Sequence, residues 1–154
     1  MKISEMLDDN LIIAELKAAT KLDVLREFSG LLRENKVVDD EEGLTKVLAA
    51  RESLGSTGIG DGVAIPHGKL KDLPGLVLAF GRSRRGVDFD SLDGVKAHLF
   101  FLLVAPEDAP GEHLKALARI SRMLKNVEVR DSLMRAGDEK EIKMIIAKRE
   151  EEVR

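Results

Sequence analysis

The sequence predicts an α/β domain of three layers, a mixed sheet with helices on both faces. Three observations carry this reading. Ala97–Ala105 is continuously apolar apart from His98, as a central strand buried on both faces should be. Strand-like and helix-like segments alternate, but not strictly. Two helical segments precede the central strands and three follow the last of them. The chain has 154 residues, within the ~100–200 of one domain. Residues 1–154 are therefore read as a single domain, long enough to bury ~70% of the surface its unfolded form exposes.

Taken in order, Lys2–Leu7 is read as a short helical turn and Leu11–Glu15 as a short strand. Thr20 stands at an N-cap position, ahead of Leu22, Leu25, Phe28 and Leu32 at helical spacing. Asn35–Val38 closes that helix. Asp40 opens a second, with Leu44, Val47, Leu48 and Arg51 on or near one face, ending near Leu54–Gly55. The glycine-rich stretch Gly55–Gly62 is read as irregular, because four glycines in eight residues argue against a regular element. Val63–Ile65 is a short buried strand running into Pro66-His67-Gly68. Leu76–Arg82 is a strand, Val87–Phe89 a short extended piece, and Pro106–Gly111 a loop. His113–Lys125 is helical, with Leu114, Leu117, Ala118, Ser121 and Leu124 as its inner face. Asn126 caps Val127–Arg135. Asp138 caps the last helix, with Glu141 at the capping-box position and Ile142, Ile145 and Ile146 facing the core. Arg149–Arg154 is expected to fray. Met123, Met134 and Met144 are expected to pack between helices.

Composition narrows the chemistry. There is no cysteine, tryptophan, tyrosine or glutamine, and the only histidines are His67, His98 and His113. Disulfides, thiolate nucleophiles and cysteine-ligated metals are excluded. The net charge is −3, and Lys and Arg are spread along the chain, so no nucleic-acid footprint is indicated. The tight cluster Arg82, Arg84 and Arg85 is read as a solvated loop after a strand. The first ten residues lack the apolar stretch of a signal peptide, and Leu99–Ala105 is far below the ~20 residues of a membrane span. A soluble, cytoplasmic protein is expected. Few amides beside abundant Glu, Lys and Arg give a thermophile-like composition.

The informative segment is Arg51–Lys69, RESLGSTGIGDGVAIPHGK. Proline fixes φ and restricts the residue before it, so His67 is rigidly presented. Gly68 leaves room for a large approaching partner. Ser56 and Thr57 offer hydroxyls and backbone N–H groups of the kind that suit phosphoryl oxygens. The stretch is no P-loop, since no Gly-Lys-Ser/Thr follows the glycines. Arg51 is a permanent cation at a helix end just upstream. His113 lies at a helix N-terminus, where unpaired N–H donors favour anions. No HxH, HxxxH or cysteine spacing is present, and a two-histidine metal site would need acidic ligands to complete it. Ser56 sits in no nucleophile elbow. His98 is read as packed at a strand end.

The run Gly62-Val-Ala-Ile-Pro-His67-Gly68, after Arg51 and Ser56-Thr57-Gly58, resembles the phosphorylation site of the enzyme IIA domains of the bacterial sugar phosphotransferase system. The match is to the fructose/mannitol type, which includes the nitrogen-regulatory IIA proteins. The resemblance extends over nearly the whole chain, through Leu16–Lys21, Leu102–Pro106 and His113-Leu114. It implies a mixed five-stranded sheet flanked by helices. It implies that His67 carries the phosphoryl group, on Nε2, with Arg51 and His113 beside it. Ser56, Thr57 and Gly68 would line the phosphoryl-binding loop. No metal and no cofactor are implied. The expected donor is the histidine phosphocarrier HPr and the expected acceptor a cysteine of an enzyme IIB domain, which must lie on another chain. Three roles follow as expectations: a transport phosphocarrier, a nitrogen-type regulator whose phosphorylation state controls its binding to other proteins, or a binding module with a vestigial histidine.

Overall fold

The apolar run at residues 99–105 alternates between two separate cores. Leu99, Phe101 and Leu103 point into one, while Phe100, Leu102 and Val104 point into the other. A strand that buries both faces must be covered on both, and this sets the architecture. The computed structural model describes residues 2–152. Six helices are described: α1 (Ile3–Met6), α2 (Lys21–Glu34), α3 (Glu41–Ser53), α4 (Pro110–Leu124), α5 (Val127–Arg135) and α6 (Glu139–Glu152). The strands are β1 (Ile12–Ile13), β2 (Gly58–Gly60), β3 (Val63–Ala64), β4 (His67–Leu70), β5 (Val77–Val87) and β6 (Ala97–Pro106). α2 and α3 cover one face of the sheet; α1, α4, α5 and α6 cover the other. The predicted three-layer α/β fold is the observed one.

The sheet runs β1-β5-β6-β3-β2, with β4 also paired to β6. It is mixed: β5 and β6 are antiparallel, as are β2 and β3, while β1 runs parallel to β5 and both β3 and β4 run parallel to β6. Six strands therefore stand where five were expected. β3 and β4 occupy one lane beside β6, and the residues between them, Ile65 and Pro66, belong to neither strand. Proline has no N–H to give to a ladder, so the lane breaks there and resumes at His67.

The helix starts lie where the sequence places them. Thr20 Oγ1 accepts from Asp23 N–H at 3.2 Å, Asp40 Oδ1 from Gly43 N–H at 2.9 Å, and Asn126 Oδ1 from Val129 N–H at 3.1 Å. Asp138 Oδ1 accepts from Glu141 N–H, while the Glu141 carboxylate reaches back to Gly137 N–H, one residue earlier than a standard capping box.

Several expectations are corrected. The glycine-rich stretch is not irregular throughout, because Gly58–Gly60 pairs with β3 across a two-residue turn. Asp61 and Gly62 have φ of 57° and 79°, the positive values a type I′ hairpin turn requires. Arg82 is no solvated loop residue. It lies in β5, is 1% exposed, and donates to the carbonyls of Ala14, Leu133 and Ala136; Arg85 stays exposed. The inner face of α4 is rotated: His113, Ala116, Ile120, Met123 and Leu124 are buried, and Leu114 stands 68% exposed. Met123 and Met134 pack as expected, whereas Met144 is exposed. The tail does not fray at residue 149. α6 continues to Glu152, and the Glu150 carboxylate accepts from Ile3 and Ser4 N–H at 2.6 and 2.7 Å, holding the start of α1. Residues 153 and 154 lie outside the described part. Among the described residues no helix is long and apolar enough to cross a membrane.

Candidate functional site

The site forms where the broken lane meets α3 and α4. Register fixes the faces. His67 lies opposite Leu103 and Lys69 opposite Ala105, while Gly68 lies opposite Val104. Side chains alternate along a strand, so His67 and Lys69 share the face that carries Leu103 and α4, and Gly68 faces α2 and α3. A Cβ on Gly68 would come within 2.7 Å of Val47 Cγ1. The glycine thus makes room for α3 rather than for a partner, which differs from its sequence reading. One turn beyond Val47, Arg51 is brought up to the first residue of β4.

Arg51 donates through Nε to His67 Nε2 at 3.2 Å and through Nη1 to Gly55 O at 2.9 Å. His67 Nδ1 lies 2.8 Å from Ile65 O. A carbonyl only accepts, so Nδ1 carries the proton, and Nε2 holds the lone pair toward which the guanidinium points. Burial lowers the His67 pKa; the Ile65 carbonyl opposes that, and Arg51 lowers it further. The ring is therefore neutral near pH 7, with its free lone pair on Nε2.

The His113 ring packs edge-on to that of His67, with centroids 5.2 Å apart. His113 is 5% exposed, and its pKa is pushed down to about 4 by burial, by His67 and by Lys69. It too is neutral. Its Nδ1 is buried without a hydrogen-bond partner among the described residues. Leaving a lone pair bare costs less than burying an orphan N–H, which favours the tautomer with the proton on Nε2.

The structure thus gathers Arg51, His67 and His113. It does not bring the hydroxyls of Ser56 and Thr57 to His67. Ser56 Oγ donates to Phe89 O at 2.5 Å and accepts from Gly58 N–H at 2.9 Å. Thr57 Oγ1 and N–H both bond the Glu52 carboxylate, which also pairs with Lys21 at 2.9 Å. Both hydroxyls therefore brace the turn that holds Gly55, and Gly55 in turn receives Arg51. His98 lies apart, its Nδ1 2.9 Å from Ser83 O, as a packed strand-end histidine. Sequence reasoning missed Glu52, for which no local pattern existed. It also did not place Lys69 on the face of His67, which period-two alternation would have shown once residues 67–70 were read as a strand. Among the described residues no three His, Asp or Glu side chains converge as metal ligands would.

Residues 5–149 match the family model described as the phosphoenolpyruvate-dependent sugar phosphotransferase system, EIIA 2. The chain belongs to this EIIA family. A nitrogen regulatory protein of Bradyrhizobium diazoefficiens is 40% identical over 147 residues, covering 96% of this chain and 95% of that one. The fructose-specific EIIABC component of Bacillus subtilis is 40% identical over 146 residues, 95% of this chain but only 23% of that protein's length. The crystal structure of the nitrogen regulatory protein IIA-Ntr from Neisseria meningitidis superposes with a TM-score of 0.87 at 36% identity, covering 94% of this chain and 98% of the other. The Escherichia coli mannitol IIA, solved in complex with phosphorylated IIB, shares the fold with a TM-score of 0.76 at 24% identity, over 90% of this chain and 95% of that one.

Proposed function

We propose that this chain is a phosphocarrier that accepts a phosphoryl group on His67 Nε2 and passes it on. The observation that carries the reading is the pair of contacts on one ring. Ile65 O holds the proton on Nδ1, and Arg51 faces the free lone pair. In the transfer, that lone pair attacks the phosphorus of a phosphohistidine on an HPr-like donor. The new N–P bond forms as the donor's N–P bond breaks, and the donor imidazole leaves with the bonding pair. Nδ1–H stays on Ile65 O, so no proton has to leave the ring. The charge-dispersed, in-line transition state is stabilised mainly by positioned charge and N–H donors. Arg51 moves its Nε–H from the nitrogen to a phosphoryl oxygen, and His113 offers its Nε2–H to another.

Onward transfer runs in reverse at His67. A cysteine thiolate of a separate IIB domain attacks phosphorus, an S–P bond forms, and Nε2 recovers its lone pair. Leu54 and Leu114, which follow Arg51 and His113, are 84% and 68% exposed, consistent with a protein partner arriving at this face. We place the protein in the cytoplasm, where such donors and acceptors work. A second reading is favoured by the names of the nitrogen regulatory relatives: the same phosphorylation would set the protein's affinity for a regulatory partner rather than feed transport. Both readings require the His67 step. Incubation with phosphorylated HPr should label the wild-type protein and leave His67→Ala unlabelled. Label that then moves to a IIB cysteine supports transport, and label that stays supports regulation. A labelled His67→Ala would sink both.

A further inference from the structure

A phosphoryl group on His67 brings close to two negative charges into a half-buried site. Arg51 supplies one positive charge. His113 brings none of its own, since its imidazole is neutral in the unphosphorylated protein at any pH well above about 4. Glu52, next to Arg51, is already engaged by Lys21 and Thr57. Among the residues assigned so far, Arg51 alone brings a permanent positive charge to the site.

We propose that Lys69 is a phosphoryl-binding residue whose ammonium, on the same face of β4 as His67 and beside α4, pairs with the oxygens of the group carried on Nε2. The inference rests on the phosphocarrier reading. Three observations support it. The register with β6 puts the side chains of His67 and Lys69 on one face of the strand, two residues apart. Lys69 is exposed and forms no ion pair with a carboxylate among the described residues. Its charge also acts on His113, whose ring touches that of His67. A lysine suits this role because its compact ammonium sits on a flexible stem and can follow the phosphoryl group. The charged groups facing the phosphoryl oxygens would then be Arg51 from α3 and Lys69 from β4, with the neutral His113 from α4 and the Glu52 carboxylate behind Arg51.

The test uses the full chain, phosphorylated chemically with phosphoramidate and followed by phosphorus NMR through a pH titration. A nearby cation favours the doubly ionised phosphoryl group. In Lys69→Gln the phosphoryl ionisation should move up by about 0.5 unit or more relative to wild type, and Lys69→Arg should restore it. In the unphosphorylated Lys69→Gln protein the His113 titration should also rise, which checks that the ammonium faces the site. A Lys69→Gln phosphoryl curve that overlays the labelled wild type would overturn the role of Lys69 alone. A wild-type protein that takes no label on His67 would overturn the phosphocarrier reading, and this inference with it.

Discussion

His113 shows how the fold sets chemistry at single residues. It sits on the buried stripe of α4, and burial there favours the neutral imidazole. The same preference couples its protonation to stability. Its folded pKa of about 4 lies below the ordinary 6.5, so as pH falls the unfolded chain takes up the proton first. The stability His113 contributes is fully present above pH 6.5 and is lost as pH falls toward about 4. The amount is at most ~3.5 kcal/mol, at ~1.4 kcal/mol per pKa unit. Urea unfolding across that window should show His113→Gln losing less stability than wild type. Parallel curves for the two proteins would show that His113 is not held neutral by the fold. His113 also explains the misjudged face of α4. A count of apolar spacing passes over a histidine and settles on Leu114, whereas the buried stripe includes a polar residue because it belongs to the site.

At the scale of elements, the site depends on α3 lying close to β4, and Gly68 permits that approach. Gly68→Ala would set a methyl 2.7 Å from Val47 Cγ1, inside contact distance. Overpacking of this kind costs ~1–3 kcal/mol. It should also move Arg51 away from His67 and slow phosphoryl acceptance. Val47→Ala in the same chain should recover most of both losses, which unfolding and labelling rates would show. A double variant no better than Gly68→Ala would remove Val47 as the cause. The helix starts were legible because capping is local: Thr20, Asp40, Asn126 and Asp138 each bond a backbone N–H three residues on. The hairpin at Asp61-Gly62 was not read, because the glycine count pointed to irregular chain, although Asp-Gly is itself a type I′ turn signal. β4 was hidden for a different reason. Four residues after a proline carry no period of their own, and only pairing with β6 makes them a strand.

Across the whole molecule, the sheet is tied to its covering helices by contacts that no local pattern announces. Arg82 leaves β5, is 1% exposed, and fastens β5 to the end of α5 through Leu133 O at 2.8 Å and Ala136 O at 2.5 Å. A positive charge at a helix C-terminus opposes the negative end of its dipole. In sequence the residue reads as one of three surface arginines, because its partners are more than fifty positions away. Arg82→Met should lower stability by about 3 kcal/mol or more, since buried hydrogen bonds to a charged group are worth ~1.5–3 kcal/mol each. Amide exchange should quicken at the end of α5, while His67 keeps its labelling at temperatures where the fold persists. Unchanged exchange at residues 133–137 would show that Arg82 does not hold that end.

We propose above all that the fold presents His67 Nε2, and not Nδ1, as the nucleophile. Nitrogen-15 and phosphorus NMR of the phosphorylated protein tests it directly. We predict phosphorus coupled to Nε2 of His67, with Nδ1 still protonated and bonded to Ile65 O. A phosphoryl group on Nδ1, or on any residue other than His67, would rule out Nε2 of His67 as the nucleophile.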